Sequence, residues 1–270
     1  MTTVGVLHPG AMGVSVAAAC TADVVWCADG RSPETAQRAD RAGLTAVATL
    51  DDLVERSDVI VSVCPPGSAV DVADSIRERG FDGTYVDANA IAPETSRAIA
   101  TRFDRFVDGG IVGPPAERAG TTRLYLAGDE AAAVATLWEG SLLDARVLDG
   151  PVGAASALKM AYATWTKVST ALLLDVRALA RVEGVEAALL AEWELSQPGT
   201  AERSERSATG VASKAWRFVG EMEQIAATFR DDDLPAGFAE AATELYNRLA
   251  GLEDVEGATL DEVLDRITRR

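Results

Sequence analysis

Up to Gly150-Pro151 the sequence alternates short apolar runs with helical stretches, and beyond that pair the strand-like alternation stops. This change of pattern constrains the fold more than any other feature. Alternation of the first kind predicts a mostly parallel, doubly wound sheet with helices on both faces. The expected strands are Thr3–Leu7, Asp23–Cys27, 58–64, 83–87, 105–108 and 123–127, with a last edge strand at 145–148. Residues 58–64 (DVIVSVC) form a continuous apolar run, as in a strand covered on both faces. The expected helices of this part are 11–21, 33–42, 68–79, 93–103 and 130–142. Beyond Gly150-Pro151 only helices are expected: 154–182 as one long helix, then 186–195, 214–230, 238–250 and 260–269. The fold class is therefore an α/β domain over residues 1–150 followed by an all-α domain over 151–270.

The first turn carries the strongest chemical signal. It runs Gly5-Val6-Leu7-His8-Pro9-Gly10-Ala11-Met12-Gly13, between the first strand and the first helix. The Rossmann fingerprint places glycines at such a turn to make the bend, to admit the pyrophosphate and to pack helix on strand. The helix N-terminus then offers free N–H groups and a partial positive charge to phosphate. Gly10 and Gly13 occupy the second and third glycine positions, and His8 stands at the first. His8, Pro9, Gly10, Ala11, Met12 and Gly13 are assigned to a dinucleotide. A purely structural turn is the plainer alternative, and His8 touching phosphate or filling space outweighs a catalytic role for it.

After the second strand comes Asp29-Gly30-Arg31-Ser32-Pro33. An acidic residue here holds the ribose 2′-OH of NAD, whereas an Arg accommodates the 2′-phosphate of NADP. Arg31 and Ser32 favour NADP, with NAD possible through Asp29. Cys64-Pro65-Pro66 follows the strand at 58–64 and builds a stiff, N–H-poor wall where ligands sit in such sheets. Cys64 reads as a small buried hydrophobe rather than a nucleophile.

Lys159, Lys167 and Lys214 are the only lysines among 25 Lys and Arg residues. Lys159 stands in a small-residue, apolar stretch of the long helix. A desolvated Lys serves as a general acid or base, or as a cation for an oxyanion. A Lys that snorkels to solvent is the equal alternative from spacing alone. Tyr162 and Thr166 share its helical face by their spacing.

The net charge of −17 argues against nucleic acid and anionic membranes as partners. A single histidine and three cysteines without ligand spacing leave no expected metal site. No signal core or run of about 18 apolar residues is present, so a cytoplasmic protein without a membrane span is expected. Two helical domains packing together would cover their apolar faces, which suggests a homodimer. Trp165 and Trp216 are expected to pack in the core.

The chain resembles the β-hydroxyacid dehydrogenase superfamily, which includes 3-hydroxyisobutyrate and 6-phosphogluconate dehydrogenases. The residues that carry the resemblance are Gly5…Met12-Gly13, Cys64-Pro65-Pro66, Asp87…Pro93, the 108–124 segment and Gly153…Lys159. Leu158-Lys159-Met160-Ala161-Tyr162-Ala163, Gly220-Glu221-Met222-Glu223-Gln224-Ile225-Ala226 and Leu234-Pro235-Ala236-Gly237-Phe238 resemble its phosphogluconate dehydrogenase-like branch with a DUF1932 C-terminal domain. The resemblance implies hydride transfer between NAD(P) and a small hydroxy acid, with the family's lysine matched by Lys159. Departures from the family pattern are Asn89-Ala90, Val112-Gly113-Pro114, Tyr162-Ala163 and Glu221-Met222. Much of the family's carboxylate clamp is thus missing, and a buried carboxylate without partners binds poorly.

The leading reading is an NAD(P)-dependent alcohol or hydroxy-acid dehydrogenase acting on a small molecule. Lys159 moves the proton, and Asn89 and Tyr162 position the substrate oxygen; Asn89 also lies at the cofactor edge. An imine reductase-like enzyme is the alternative, motivated by the lost clamp. A non-catalytic cofactor sensor is the third reading, motivated by His8 in the fingerprint.

Overall fold

The computed structural model describes residues 2–252, 255 and 257–269. The chain divides into two compact units, Met1–Met160 and Ala161–Arg270. The division thus falls inside a helix, ten residues beyond the Gly150-Pro151 pair from which the sequence divides it.

The first unit holds one sheet, with eight strands among the described residues. They are β1 (Thr3–Leu7), β2 (Asp23–Cys27), β3 (Thr45–Val47), β4 (Val59–Ser62), β5 (Thr84–Asp87), β6 (Phe106–Val112), β7 (Thr122–Ala127) and β8 (Leu143–Val147). Their order is β3-β2-β1-β4-β5-β6-β7-β8. All neighbours are parallel except β6 and β7, which are antiparallel. Strand order therefore reverses between β1 and β4, which opens a crevice outside their carboxyl ends.

Alternate residues of each strand feed two cores. Val4, Val6, Val59, Val61, Val86 and Val107 face one, with Trp138. Leu7, Ile60, Tyr85 and Phe106 face the other. Burial on both faces accounts for the uninterrupted apolar runs of the sequence. The helices α1 (Ala11–Ala18), α2 (Pro33–Arg41), α3 (Leu50–Arg56), α4 (Ala69–Glu78), α5 (Pro93–Ala100) and α6 (Ala131–Ala135) connect the strands. The 130–142 stretch, expected as one helix, is the short α6 followed by a tight 3₁₀ turn at Thr136–Trp138.

Next come α7 (Ala154–Ala163), a π turn at Thr164–Val168, and α8 (Ser169–Val182). The expected single helix over 154–182 is thus interrupted by a wider turn, a feature common at functional sites. The second unit continues with α9 (Glu186–Ser196), α10 (Thr200–Ala212), α11 (Ala215–Asp231), α12 (Gly237–Arg248) and α13 (Leu260–Thr268). Its polar centre is Arg177, only 3% exposed. The guanidinium donates to Glu186 at 2.7 Å and to Ser204 Oγ at 2.5 Å, and so ties α8 to α9 and α10. Trp165 and Trp216 are 71% and 52% exposed, which corrects the expectation that both pack in the core.

Among the described residues, no helix is long and apolar enough to cross a membrane, and no group of His, Cys, Asp or Glu is arranged to hold a metal ion.

Candidate functional site

The turn after β1 reproduces the fingerprint's backbone with a histidine in it. His8 has φ +63°, the left-handed region that a glycine enters freely. Histidine is among the residues that tolerate this region. The turn closes through Gly10 N–H donating to the His8 carbonyl at 2.7 Å. A Cβ on Gly13 would sit 2.5 Å from that carbonyl oxygen, so only glycine lets α1 start this close to the turn. Arg38 of α2 donates to the Pro9 carbonyl at 3.2 Å and braces the turn from outside. No acidic residue lies in the first turn of α1, so its N-terminal charge is uncompensated.

Two buried polar atoms in this region have no hydrogen-bond partner: His8 Nδ1 and Arg31 Nε. Burial, and then the Arg31 guanidinium, push the His8 imidazole down to about 4. The same guanidinium also acts on the Cys64 thiol, so Arg31 lies toward the carboxyl edge of β1 and β4. Orphaned donors, a helix N-terminus and a Gly13 cradle at one strand edge fit a phosphate-bearing ligand. Asp29 is exposed. Ser32 caps α2: its Oγ accepts from the Thr35 N–H at 3.3 Å. Arg31 is the charged donor of the pair.

His8 yields a sharp spectroscopic expectation. Its depressed value means the neutral ring is favoured in the folded chain, and that contribution to stability is lost as pH falls from 6.5 toward 4. A bound phosphate would reverse the local field. The single imidazole resonance should titrate near 4 in the free protein and move up by a unit or more, on the order of a tenfold change in proton affinity, with cofactor. An unchanged titration would remove His8 from the phosphate site.

Below the edge, at the ends of β4 and β5, lies a buried polar network. Asn89, 2% exposed, accepts the Cys64 N–H on Oδ1 at 2.6 Å. Its amide nitrogen donates to Ser62 Oγ and to Asp87 Oδ2, both at 3.0 Å. The side chain is a strut that fixes the Cys64-Pro65-Pro66 turn. Both its amide groups make hydrogen bonds inside the protein. Pro66 opens a 3₁₀ turn through Ser68, and the Ser68 N–H donates to the Pro65 carbonyl at 2.9 Å. Burial pushes the Cys64 thiol up to about 11, so it is no thiolate at neutral pH.

Asp87 is 1% exposed, and burial pushes its carboxyl up to about 7 against two opposing hydrogen bonds from Asn89. The folded chain therefore holds a proton that the unfolded chain releases above 3.8, so stability falls as pH rises from that value to about 7. Between pH 5 and pH 8, urea unfolding should show a loss of roughly 2–4 kcal/mol from this group. An Asp87→Asn variant should show a flatter profile; an identical pH slope in both proteins would refute the assignment.

Asp108 on β6 is the residue that sequence reasoning undervalued. It is fully buried. Its Oδ2 accepts the backbone N–H groups of Gly153, Ala155 and Ser156 at 2.8–3.0 Å. Its Oδ1 accepts the hydroxyls of Ser96 at 2.8 Å and Ser156 at 2.5 Å. A carboxylate from a strand thus caps the N-terminus of α7, where its charge also meets the favourable end of the helix dipole. Gly110, two residues on, completes the fit. A Cβ there would lie 2.6 Å from the Ala155 carbonyl oxygen and 3.2 Å from Lys159 Cβ. The Asp-Gly-Gly run looks like a strand end in sequence, yet β6 continues through it because the glycines admit the helix. Lys159 is thereby held on α7 directly over β6, half-buried. Tyr162, on the last turn of α7, is 45% exposed. The Thr166 hydroxyl donates to the Tyr162 carbonyl of its own helix at 3.1 Å.

The fold is that of known proteins. A conserved protein of unknown function, described as structurally similar to 3-hydroxyacid dehydrogenases, is 26% identical with a TM-score of 0.71, covering 95% of this chain and all of that one. The 3-hydroxyisobutyrate dehydrogenase of Mycobacterium tuberculosis, solved with L-serine, is 16% identical with a TM-score of 0.74, each chain covered fully. A variant imine reductase of Myxococcus stipitatus, solved with NAD+, is 18% identical with a TM-score of 0.55, again over both full chains. An uncharacterized 28.5 kDa protein of Methanothermus fervidus is 33% identical over 165 residues, 60% of this chain and 64% of that protein. The match thus spans slightly less than two thirds of that relative.

Sheet order, cofactor-type turn and helical second unit define a β-hydroxyacid dehydrogenase-like protein. Residues 180–249 match the domain of unknown function DUF1932, and the chain resembles the part of that superfamily with a DUF1932 C-terminal domain.

Proposed function

We propose that this chain is an NADP-dependent oxidoreductase that reduces a carbonyl, or oxidises the corresponding alcohol, of a small hydroxy-acid-type molecule. The observation that carries the reading is the placement of Lys159: a half-buried amine on a helix pinned to the sheet by Asp108. In carbonyl reduction the Lys159 ammonium gives its proton to the carbonyl oxygen as the C=O bond becomes C–OH; in oxidation the neutral amine takes it back. The nicotinamide cofactor, when bound, supplies or accepts the hydride. His8, Pro9, Gly10, Ala11, Met12 and Gly13 would hold the pyrophosphate, Arg31 the 2′-phosphate, and the wall at Cys64-Pro65-Pro66 would border the ring. Asn89 acts through this wall as a positioning residue, and Tyr162 would position the substrate oxygen. The homodimer expected from the sequence belongs to the same reading.

The test is fluorescence titration with NADPH and NADH, followed by a screen of carbonyl and imine substrates. NADPH should bind more tightly, and Arg31→Ala should erase the preference by about tenfold or more. Equal binding of the two cofactors by the wild type would return the choice to Asp29 and NAD. Binding of neither would end the oxidoreductase reading. Turnover of a cyclic imine without ketone reduction would replace carbonyl chemistry with C=N reduction.

A further inference from the structure

We infer that Tyr246 and the Lys167–Glu221 ion pair are positioning residues: they hold the π turn at Thr164–Val168, and the turn sets the direction in which Tyr162 presents its phenol to the substrate. The inference rests on the reading of Tyr162 as the group that positions the substrate oxygen. The inward stripe of the helix shows what the turn does. Ala163, Val168, Ala171, Leu174 and Ala178 are buried. From Val168 onward the buried positions follow in steps of three and four residues, the period of an α-helix. From Ala163 to Val168 the step is five. An unbroken helix would place Lys167 on the inward stripe, one turn after Ala163. The π turn takes in one extra residue and brings Val168 there instead. That residue rotates the side chains just before it, Tyr162 among them, by about 100° against those of α8.

Such a turn is rare, and here it is supported at several points. The Thr166 hydroxyl donates to the Tyr162 carbonyl at 3.1 Å, and the Thr170 hydroxyl to the Thr166 carbonyl at 2.9 Å. These supports are local to the helix. The others come from α11 and α12. Tyr246 on α12 is fully buried and donates to the Lys167 carbonyl at 2.7 Å. Burial, and then the Glu221 charge, push its phenol up, so it stays a donor. Lys167 Nζ pairs with Glu221 on α11 and lies 4.8 Å from the centre of the Phe218 ring. Phe218 in turn meets Tyr246 edge-on, with ring centres 5.3 Å apart. The carbonyl of Lys167 is thus held by α12 while its side chain is held by α11. Both charged side chains are largely buried, 16% and 17% exposed. An ion pair so far removed from water is weak evidence for stability, and the geometry that it fixes is the better account of it.

Tyr246→Phe removes one hydroxyl and keeps the ring against Phe218. Amide exchange over residues 164–169 should quicken by ~10-fold, with exchange beyond Leu172 unchanged. With 3-fluorotyrosine in the chain, the Tyr162 resonance, assigned by its loss in Tyr162→Phe, should move in Tyr246→Phe. Turnover should fall by ~10–100-fold at unchanged cofactor affinity, as expected when a positioned group is displaced. In a Tyr162→Phe background, Tyr246→Phe should cause no further loss, because the two act through one group. Lys167→Met should share these effects, whereas Lys167→Arg, which keeps the ion pair, should restore turnover. A Tyr246→Phe chain with an unmoved Tyr162 resonance and wild-type exchange would overturn the proposal. So would losses of turnover that simply add when Tyr162→Phe and Tyr246→Phe are combined. A wild type that turns over no carbonyl or imine would end the oxidoreductase reading, and the Tyr162 resonance would then decide this one alone.

Discussion

Replacing Lys159 by alanine is expected to lower turnover by ~10²–10⁴-fold, the usual contribution of a positioned proton donor, while cofactor affinity stays within about twofold. The separation follows from geometry. Lys159 sits on α7 over Gly110 of β6, whereas the cofactor turn lies at the end of β1. Lys159→Arg should not restore activity, because guanidinium does not give up its proton in the accessible range. The pH profile carries the decisive signal: the limb that reports the amine should vanish in both variants. A Lys159→Ala enzyme with wild-type turnover and an unchanged profile would refute the assignment.

Removing the Asp108 carboxylate should have the largest effect on stability. Asp108→Ala leaves the Gly153, Ala155 and Ser156 N–H groups and two serine hydroxyls without their acceptor in a dry interior. Unsatisfied buried donors cost about 1–3 kcal/mol apiece when water cannot reach them, so a loss of at least ~3 kcal/mol is expected. Urea unfolding measures it directly as a lower midpoint. Asp108→Asn keeps one acceptor oxygen and should fall between alanine and the wild type. Turnover in the surviving fold of Asp108→Asn should drop with little change in cofactor affinity, since α7 carries Lys159 and the cap sets where α7 starts. A wild-type midpoint in Asp108→Ala would mean that the five hydrogen bonds are worth nothing net.

The elements with strong periodicity are legible in the sequence. β1 and β2 were read with their observed ends, and β4, β5 and β7 within a residue or three of theirs, because apolar side chains buried on both faces leave an unbroken run. The elements that sequence reading passed over were weakly patterned. β3 has three residues at a sheet edge, and only Val47 is buried. Helix α3 follows with a capping box from Thr49 and Asp52, a local signal the sequence carries. Helix α10 buries Ser204, Ala208, Val211 and Ala212. Its inward stripe is made of small residues in a polar sequence, and small residues give little periodicity to detect. The π turn at Thr164–Val168 has no signature in single-residue preferences. It is braced from α12, where the Tyr246 hydroxyl donates to the Lys167 carbonyl at 2.7 Å.

For the candidate site, residue types were readable and their relations were not. Sequence alone determined that a glycine-bearing turn follows β1, that Arg31 follows β2, and that Lys159 stands in an apolar helix. These are local facts, set by short-range pattern and by the chemistry of single side chains. Only the tertiary structure decided that Asn89 bonds to Ser62, Cys64 and Asp87, that Asp108 caps a helix 45 residues further along the chain, and that the Arg31 charge acts on His8. The physical reason is the same in each case. A hydrogen bond or a charge interaction depends on where two groups meet in space, and in a parallel sheet the crossover connections bring together residues that no sequence window contains.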